Sequence, residues 1–142
     1  MRSDLPNLPI ITEPVRTQSR SQIVDVTPRV AELVRQHNVR DGFAIVYVPH
    51  TTAAVAINEN ADPDVKHDFL QKLEAMIPKR EPYYEHGEAN SDSHVKTALV
   101  GNSAMVLIEA GRLVLGTWQG IYFCEFDGPR DRQMLVKIVQ LG

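Results

Sequence analysis

The spacing of polar and apolar residues changes period several times along this chain, and each change marks an element. Gly42 to Val48 is a near-continuous apolar run, Phe43-Ala44-Ile45-Val46-Tyr47-Val48, which suits a strand covered on both faces. Asp41-Gly42 before it reads as a turn, and Pro49 ends it. Ala53 to Ile57 follows as a strand of small residues that lets another surface, such as a second subunit, approach closely. Val30, Leu33 and Val34 recur at helical spacing behind Thr27 as N-cap and Pro28 at the first helical position, and that helix ends near His37 and Asn38. Asn58 to Asp62 is a polar break. Val65, Phe69, Leu70, Leu73 and Ile77 then form the apolar stripe of a second helix, opened by Pro63 and stopped by Pro78. Lys79 to Glu88 has no period and reads as loop. Ser91 or Asp92 caps a third helix with Val95, Ala98 and Leu99 as its apolar face, and Gly101 ends it.

Further strands are predicted at Thr17 to Val26, Ala104 to Glu109, Leu113 to Leu115, Gly120 to Phe126 and Gln133 to Leu141. Turns fall at Gly111 and at Asp127-Gly128-Pro129. The order is β-α-β-β-α-α-β-β-β-β, about seven strands and about three helices. Consecutive strands at the C-terminal end favour antiparallel pairing. The class is α+β, with a largely antiparallel or mixed sheet, and not a doubly wound one. Prolines at 6, 9 and 14 make residues 1–16 an extended arm, leaving 17–142 as one domain.

Composition narrows the function. The chain has 142 residues, 43% hydrophobic and 23% charged, an ordinary globular balance able to bury one core. Its net charge is −3 and no dense Lys/Arg run occurs, so nucleic acid is not an expected partner. The apolar runs are strand length, short of the roughly 20 residues of a membrane helix, so no membrane partner is expected either. A single cysteine, Cys124, excludes an intrachain disulfide and suits a reducing compartment. No apolar signal core opens the chain. The expected location is cytoplasmic.

Candidate chemistry concentrates in Glu85 to His94, which holds two of the five histidines. His37, at a helix C-terminus, and His67, off the apolar stripe, read as structural. His50, His86 and His94 lie beside loops, where functional groups tend to sit. His86 and His94 offer imidazole nitrogens to a divalent metal, zinc or magnesium, with a third ligand from His50, Glu125, Cys124 or Asp92. The helix start at Asn90-Ser91-Asp92-Ser93 presents backbone N–H groups and the positive dipole end to an anion. Thr51 and Thr52 add hydroxyls, and Arg130 or Lys96 a positive charge. No Walker loop or Gly-x-Gly-x-x-Gly is present, so a nucleotide cofactor gains no support. Strand alternation sends one of Cys124 and Glu125 inward. A partly buried Glu125 is expected to have a raised pKa. Trp118 and Gln119, in a Gly-flanked turn, can line a pocket for a flat ring.

These words together resemble the YjbQ-like family, also called the secondary thiamine-phosphate synthase family, from about Ser21 to the end. The resemblance is carried by His50-Thr51-Thr52-Ala53, Ile57-Asn58-Glu59-Asn60, Pro82-Tyr83-Tyr84-Glu85-His86, Asn90 with His94, and Gly111-Arg112-Leu113. It continues through Leu115-Gly116-Thr117-Trp118-Gln119-Gly120-Ile121-Tyr122, Cys124-Glu125 and Asp127-Gly128-Pro129-Arg130. It implies a compact α+β domain, commonly a homotrimer, with a metal on His50, His86 and His94. It also implies a transferase activity that joins hydroxymethylpyrimidine diphosphate to thiazole phosphate and releases diphosphate. The expected partner is then a small phosphorylated molecule. Thr51, Thr52, Asn58, Asn90, Ser91, Trp118, Gln119 and Arg130 would bind it, and Glu125 and Asp92 would handle protons. The alternatives are a non-catalytic module binding a small ligand or metal, and a structural trimer whose polar words organise subunit contacts.

Overall fold

Two antiparallel sheets face each other across the main core. The structure is a computed structural model that describes residues 8–142. The strands are β1 (Ile11–Arg16), β2 (Gln22–Asp25), β3 (Asp41–Tyr47), β4 (Ala53–Glu59), β5 (Ser103–Glu109), β6 (Arg112–Leu113), β7 (Gln119–Glu125) and β8 (Asp131–Gln140). The helices are α1 (Thr27–Gln36), α2 (Pro63–Met76) and α3 (Ser91–Val100). The larger sheet runs β1-β8-β3-β5-β6 and the smaller β2-β7-β4, every pair antiparallel. The fold is the expected α+β domain.

The pleat explains the core. Ala44 and Val46 of β3, Val106 and Ile108 of β5, and Met134, Val136 and Ile138 of β8 alternate inward from the larger sheet. They meet Val55, Ile121 and Phe123 of the smaller sheet and Val30, Leu33 and Val34 of α1. The other face of β7 sends Tyr122 and Cys124, with Phe126 just beyond the strand, into a second cluster closed by Leu73, Phe69 and Leu70 of α2. β7 is therefore covered on both sides. That corrects the expectation that only one of Cys124 and Glu125 faces inward: both are fully buried. Burial pushes the Cys124 thiol up to about 12 and leaves it inert.

Several other boundaries differ from the sequence reading. Ile11–Arg16, assigned to the arm, is the edge strand of the larger sheet; Pro14 is tolerated because an edge strand leaves one side unpaired. Residues 1–7 of that arm lie outside the described residues. The predicted Thr17 to Val26 strand contracts to β2. Asp41-Gly42 belongs to β3 and not to a turn. Gly42 has φ +152, and a Cβ there would sit 1.8 Å from the Val139 carbonyl oxygen, so only glycine lets β8 approach. β4 runs on through Asn58 to Glu59 because the pairing with β7 continues to Gln119.

The largest departure is α3. Its polar side is buried and its apolar side faces out: Asp92, Ser93, Lys96 and Thr97 are inside, while Val95 and Leu99 are 48% and 61% exposed. Ion pairing overrides hydrophobic pattern here. Asp92 is held by Arg20 at 3.0 and 3.2 Å and by Lys96 at 2.8 Å, and Lys96 also reaches Glu74 at 2.7 Å. The Ser93 hydroxyl donates to the Phe126 carbonyl at 2.6 Å. These bonds turn the helix so that its charged side is compensated inside the protein.

Candidate functional site

Three connections converge at the end of the sandwich where β7 finishes. The β3–β4 turn brings Pro49, His50, Thr51 and Thr52. The approach to α3 brings Glu88 and Asn90, and its first turn brings His94. The β7–β8 turn and the start of β8 bring Arg130 and Arg132. Together they line a polar cleft of about 330 Å³.

Buried polar bonds set each wall. Asn102 Nδ2 donates to the carbonyls of Val48 and His50, both at 2.9 Å, and so fixes the β3–β4 turn from beneath. Arg132 meets Glu125 through Nε to Oε1 at 2.9 Å and through Nη2 to Oε2 at 2.5 Å. Its Nη2 also donates to Thr52 Oγ1 at 2.8 Å, and the Thr17 hydroxyl donates to Glu125 Oε1 at 2.6 Å. Burial alone would raise the Glu125 pKa, but the bonds from Arg132 and Thr17 outweigh it and hold the carboxyl below the usual carboxylate range. The expected rise is therefore corrected: Glu125 is a buried, ionised strut. Asp92 behaves alike. Burial opposes its charge, yet Arg20 and Lys96 lower its pKa. Neither carboxylate lines the cleft.

The α3 start borders the cleft through Asn90 and His94. Asn90, and not Ser91 or Asp92 as expected, is the N-cap residue; its Nδ2 donates to Asp127 Oδ2 at 2.7 Å, while its buried Oδ1 makes neither a cap bond nor any other hydrogen bond among the described residues. No side chain caps the first-turn N–H groups, at the positive end of the helix dipole. Arg130 leans on Asp127 through Nη2 at 2.9 Å and keeps half of its side chain exposed.

The histidines divide. His50 and His94 share the cleft, whereas His86 and His94 share a neighbouring depression of about 320 Å³ with Ser91 and Val95. The His86 and His94 rings meet edge to face with centroids 5.4 Å apart. His50 Nε2 accepts the backbone N–H of Gln133 at 2.9 Å. Burial first, and then the Arg132 charge, lower its pKa and so favour the neutral ring. In a neutral ring whose Nε2 accepts a hydrogen bond, Nδ1 carries the proton and no lone pair remains for a metal. Among the described residues no group of three or more His, Cys, Asp or Glu is arranged to hold a metal ion. The expected three-histidine metal set does not fit this geometry.

Trp118, Gln119 and Asn58 are elsewhere. β4 and β7 pair Ala53 with Glu125 at the cleft end, but Asn58 with Gly120 and Glu59 with Gln119 at the other. At about 3.3 Å per residue, the two ends are about 20 Å apart. Within one chain, Trp118 does not meet the cleft. Thr51, Thr52, Asn90 and Arg130 are brought together there, and Ser91 lies in the adjoining depression. Sequence reasoning missed Arg20, Asn102 and Arg132. Only Arg132 carried a signal: strand alternation puts it on the inward face with Met134 and Val136.

A two-sheet α+β sandwich with a polar cleft at one end, built from a His-Thr-Thr turn, a helix start and an Asp-Gly-Pro-Arg turn, defines the class. Residues 12–141 match the family described as UPF0047 protein YjbQ-like, and the chain belongs to that family. It is 50% identical over 125 residues to a UPF0047 protein of Methanocaldococcus jannaschii, covering 88% of this chain and 90% of that one. It is 46% identical to the UPF0047 protein YugU of Bacillus subtilis, covering 88% and 95%. A crystal structure of a YjbQ/UPF0047 family protein from Clostridium acetobutylicum superposes with TM-score 0.89 at 50% identity, covering 91% of this chain and 99% of that one. A hypothetical protein from Aeropyrum pernix gives TM-score 0.89 at 35% identity, covering 94% and 100%.

Proposed function

We propose that the protein binds a small phosphorylated molecule in this cleft. The reaction we assign to it is a transfer of the thiamine-phosphate synthase kind, joining hydroxymethylpyrimidine diphosphate to thiazole phosphate with release of diphosphate. The observation that supports this reading is the convergence of His50, Thr51, Thr52, Arg130 and the uncapped α3 start on one polar cleft. Helix N–H groups, hydroxyls and a half-exposed guanidinium are the donors that a phosphate or departing diphosphate needs. His94, whose ring nitrogens make no hydrogen bond among the described residues, is a group there able to pass a proton.

One observation favours a second reading, a binding protein without turnover. Both carboxylates expected to handle protons are locked in ion pairs away from the cleft. Purified full-length protein given both substrates decides between them. Formation of thiamine phosphate that Arg130→Ala and His94→Ala abolish supports the transferase. Binding of the diphosphate without turnover supports the second reading, and absence of both overturns the cleft as a phosphate site.

Self-association belongs to the same proposal. The outer face of the larger sheet presents Tyr47, Met105 and Leu107, 46%, 60% and 57% exposed, and α3 presents Val95 and Leu99. Two apolar faces on different sides of one chain suit a closed ring of copies, which we take to be a homotrimer. In such a ring the exposed Trp118 of one copy is free to approach the cleft of another. No helix among the described residues is long and apolar enough to cross a membrane.

A further inference from the structure

The most informative bond in the cleft joins a side chain to the backbone of another strand. β3 ends at Tyr47, paired with Leu135 of β8, and β8 extends past that point toward its start at Asp131. Gln133 therefore lies beyond the end of β3, and its N–H finds no backbone partner there. The His50 ring takes that place, with Nε2 2.9 Å from the Gln133 nitrogen. The His50 carbonyl is held from the other side by Asn102 Nδ2 at 2.9 Å, so ring and backbone are both anchored.

A backbone N–H is a donor and nothing else. The nitrogen facing it must present a lone pair, which excludes the Nε2–H tautomer and the doubly protonated ring in this position. The remaining proton sits on Nδ1, which has no hydrogen-bond partner among the described residues. Backbone hydrogen bonding of this kind commonly sets which imidazole nitrogen is left for chemistry, and here the nitrogen left over is a donor.

We propose that His50 serves the cleft as a fixed, neutral Nδ1–H donor to an anionic oxygen of the ligand, and is not a metal ligand. This rests on the reading of the cleft as a phosphate site and adds how that site chooses its ligand. Metal ligation at His50 would require breaking the Gln133 bond or stripping Nδ1 of its proton. An oxyanion requires neither, and it meets Thr51 and Arg130 in the same cleft.

Two measurements on the full-length chain test this. Long-range 1H–15N correlation spectra with labelled histidine read the tautomer directly. Expected are an unprotonated Nε2 and a protonated Nδ1 at His50, an Nδ1 signal that moves on addition of inorganic phosphate, and a His50 pattern that Zn2+ leaves unchanged. An Nε2–H tautomer, or Zn2+ bound through His50, overturns the proposal. Substitution separates a neutral donor from a cation or ligand. His50→Gln can accept from Gln133 and still donate, so its phosphate affinity stays within about threefold of wild type, whereas His50→Ala loses roughly tenfold or more. Equal losses in the two folded variants overturn the donor role. If wild type itself binds no phosphate, the cleft reading fails and the donor role falls with it; the tautomer spectrum still decides metal ligation.

Discussion

Arg132, on β8 of the larger sheet, grips both oxygens of Glu125, on β7 of the smaller sheet, at 2.9 and 2.5 Å, with both side chains buried. This pair ties the end of β7 to the start of β8, and Thr52 and Thr17 are bonded to the same two groups. Arg132 lines the cleft, and Glu125 braces it from behind without reaching the cleft itself.

Glu125→Gln is expected to cost about 3–5 kcal/mol, because it leaves a buried guanidinium without its counter-charge. Urea unfolding at pH 7 measures this. The folded-state pKa of Glu125 is depressed, so its contribution is complete above the ordinary glutamate value of about 4.3 and is lost as pH falls through the lower folded value. The gap between variant and wild type should close in acid. A gap that stays constant down to strongly acidic pH contradicts the assignment.

Asp92→Asn leaves Arg20 and the buried Lys96 short of a carboxylate. Thermal unfolding should show a loss of about 3–5 kcal/mol, a structural effect and not a catalytic one. Adding Lys96→Met to Asp92→Asn should recover part of that loss. No recovery would show that the Lys96 charge is not what the substitution strands.

The layout of strands and helices was legible because β3 and β7 are apolar runs of strand length and α2 has a clear helical stripe between Pro63 and Pro78. The orientation of α3 was not. Its apolar residues Val95, Ala98 and Leu99 point inward on any pattern argument, and only the distant Arg20 and Glu74 reverse them. The site was half legible. His50, Thr51, Thr52, Asn90, His94 and Arg130 do share a cleft, since all sit at element ends. Trp118 and Gln119 read as members because a Gly-flanked turn can line a pocket, yet that turn leads into β7 and the cleft lies at the strand's other end.

Leu99→Glu and Leu107→Glu each place a charge on an exposed apolar face and should cost the monomer less than about 0.5 kcal/mol. Light scattering should show wild type as a homotrimer and both variants at lower mass. A monomeric wild type removes the proposed ring, and with it any role for a neighbour's Trp118.

Cys124 is buried with its thiol pushed up to about 12. Thiol titration with an aromatic disulfide at pH 8 should give no reaction in native protein and one thiol per chain after unfolding. Prompt reaction of the folded protein would contradict the two-sided cover of β7.

A crystal structure with a non-hydrolysable analogue of the pyrimidine diphosphate tests whether the polar cleft is the phosphate site. The diphosphate is expected among His50, Thr51, Arg130 and the first turn of α3, with the Gln133–His50 bond intact. An analogue seated instead in the groove of Lys79, Arg80 and Tyr84, or bound through a metal on His50, would contradict it.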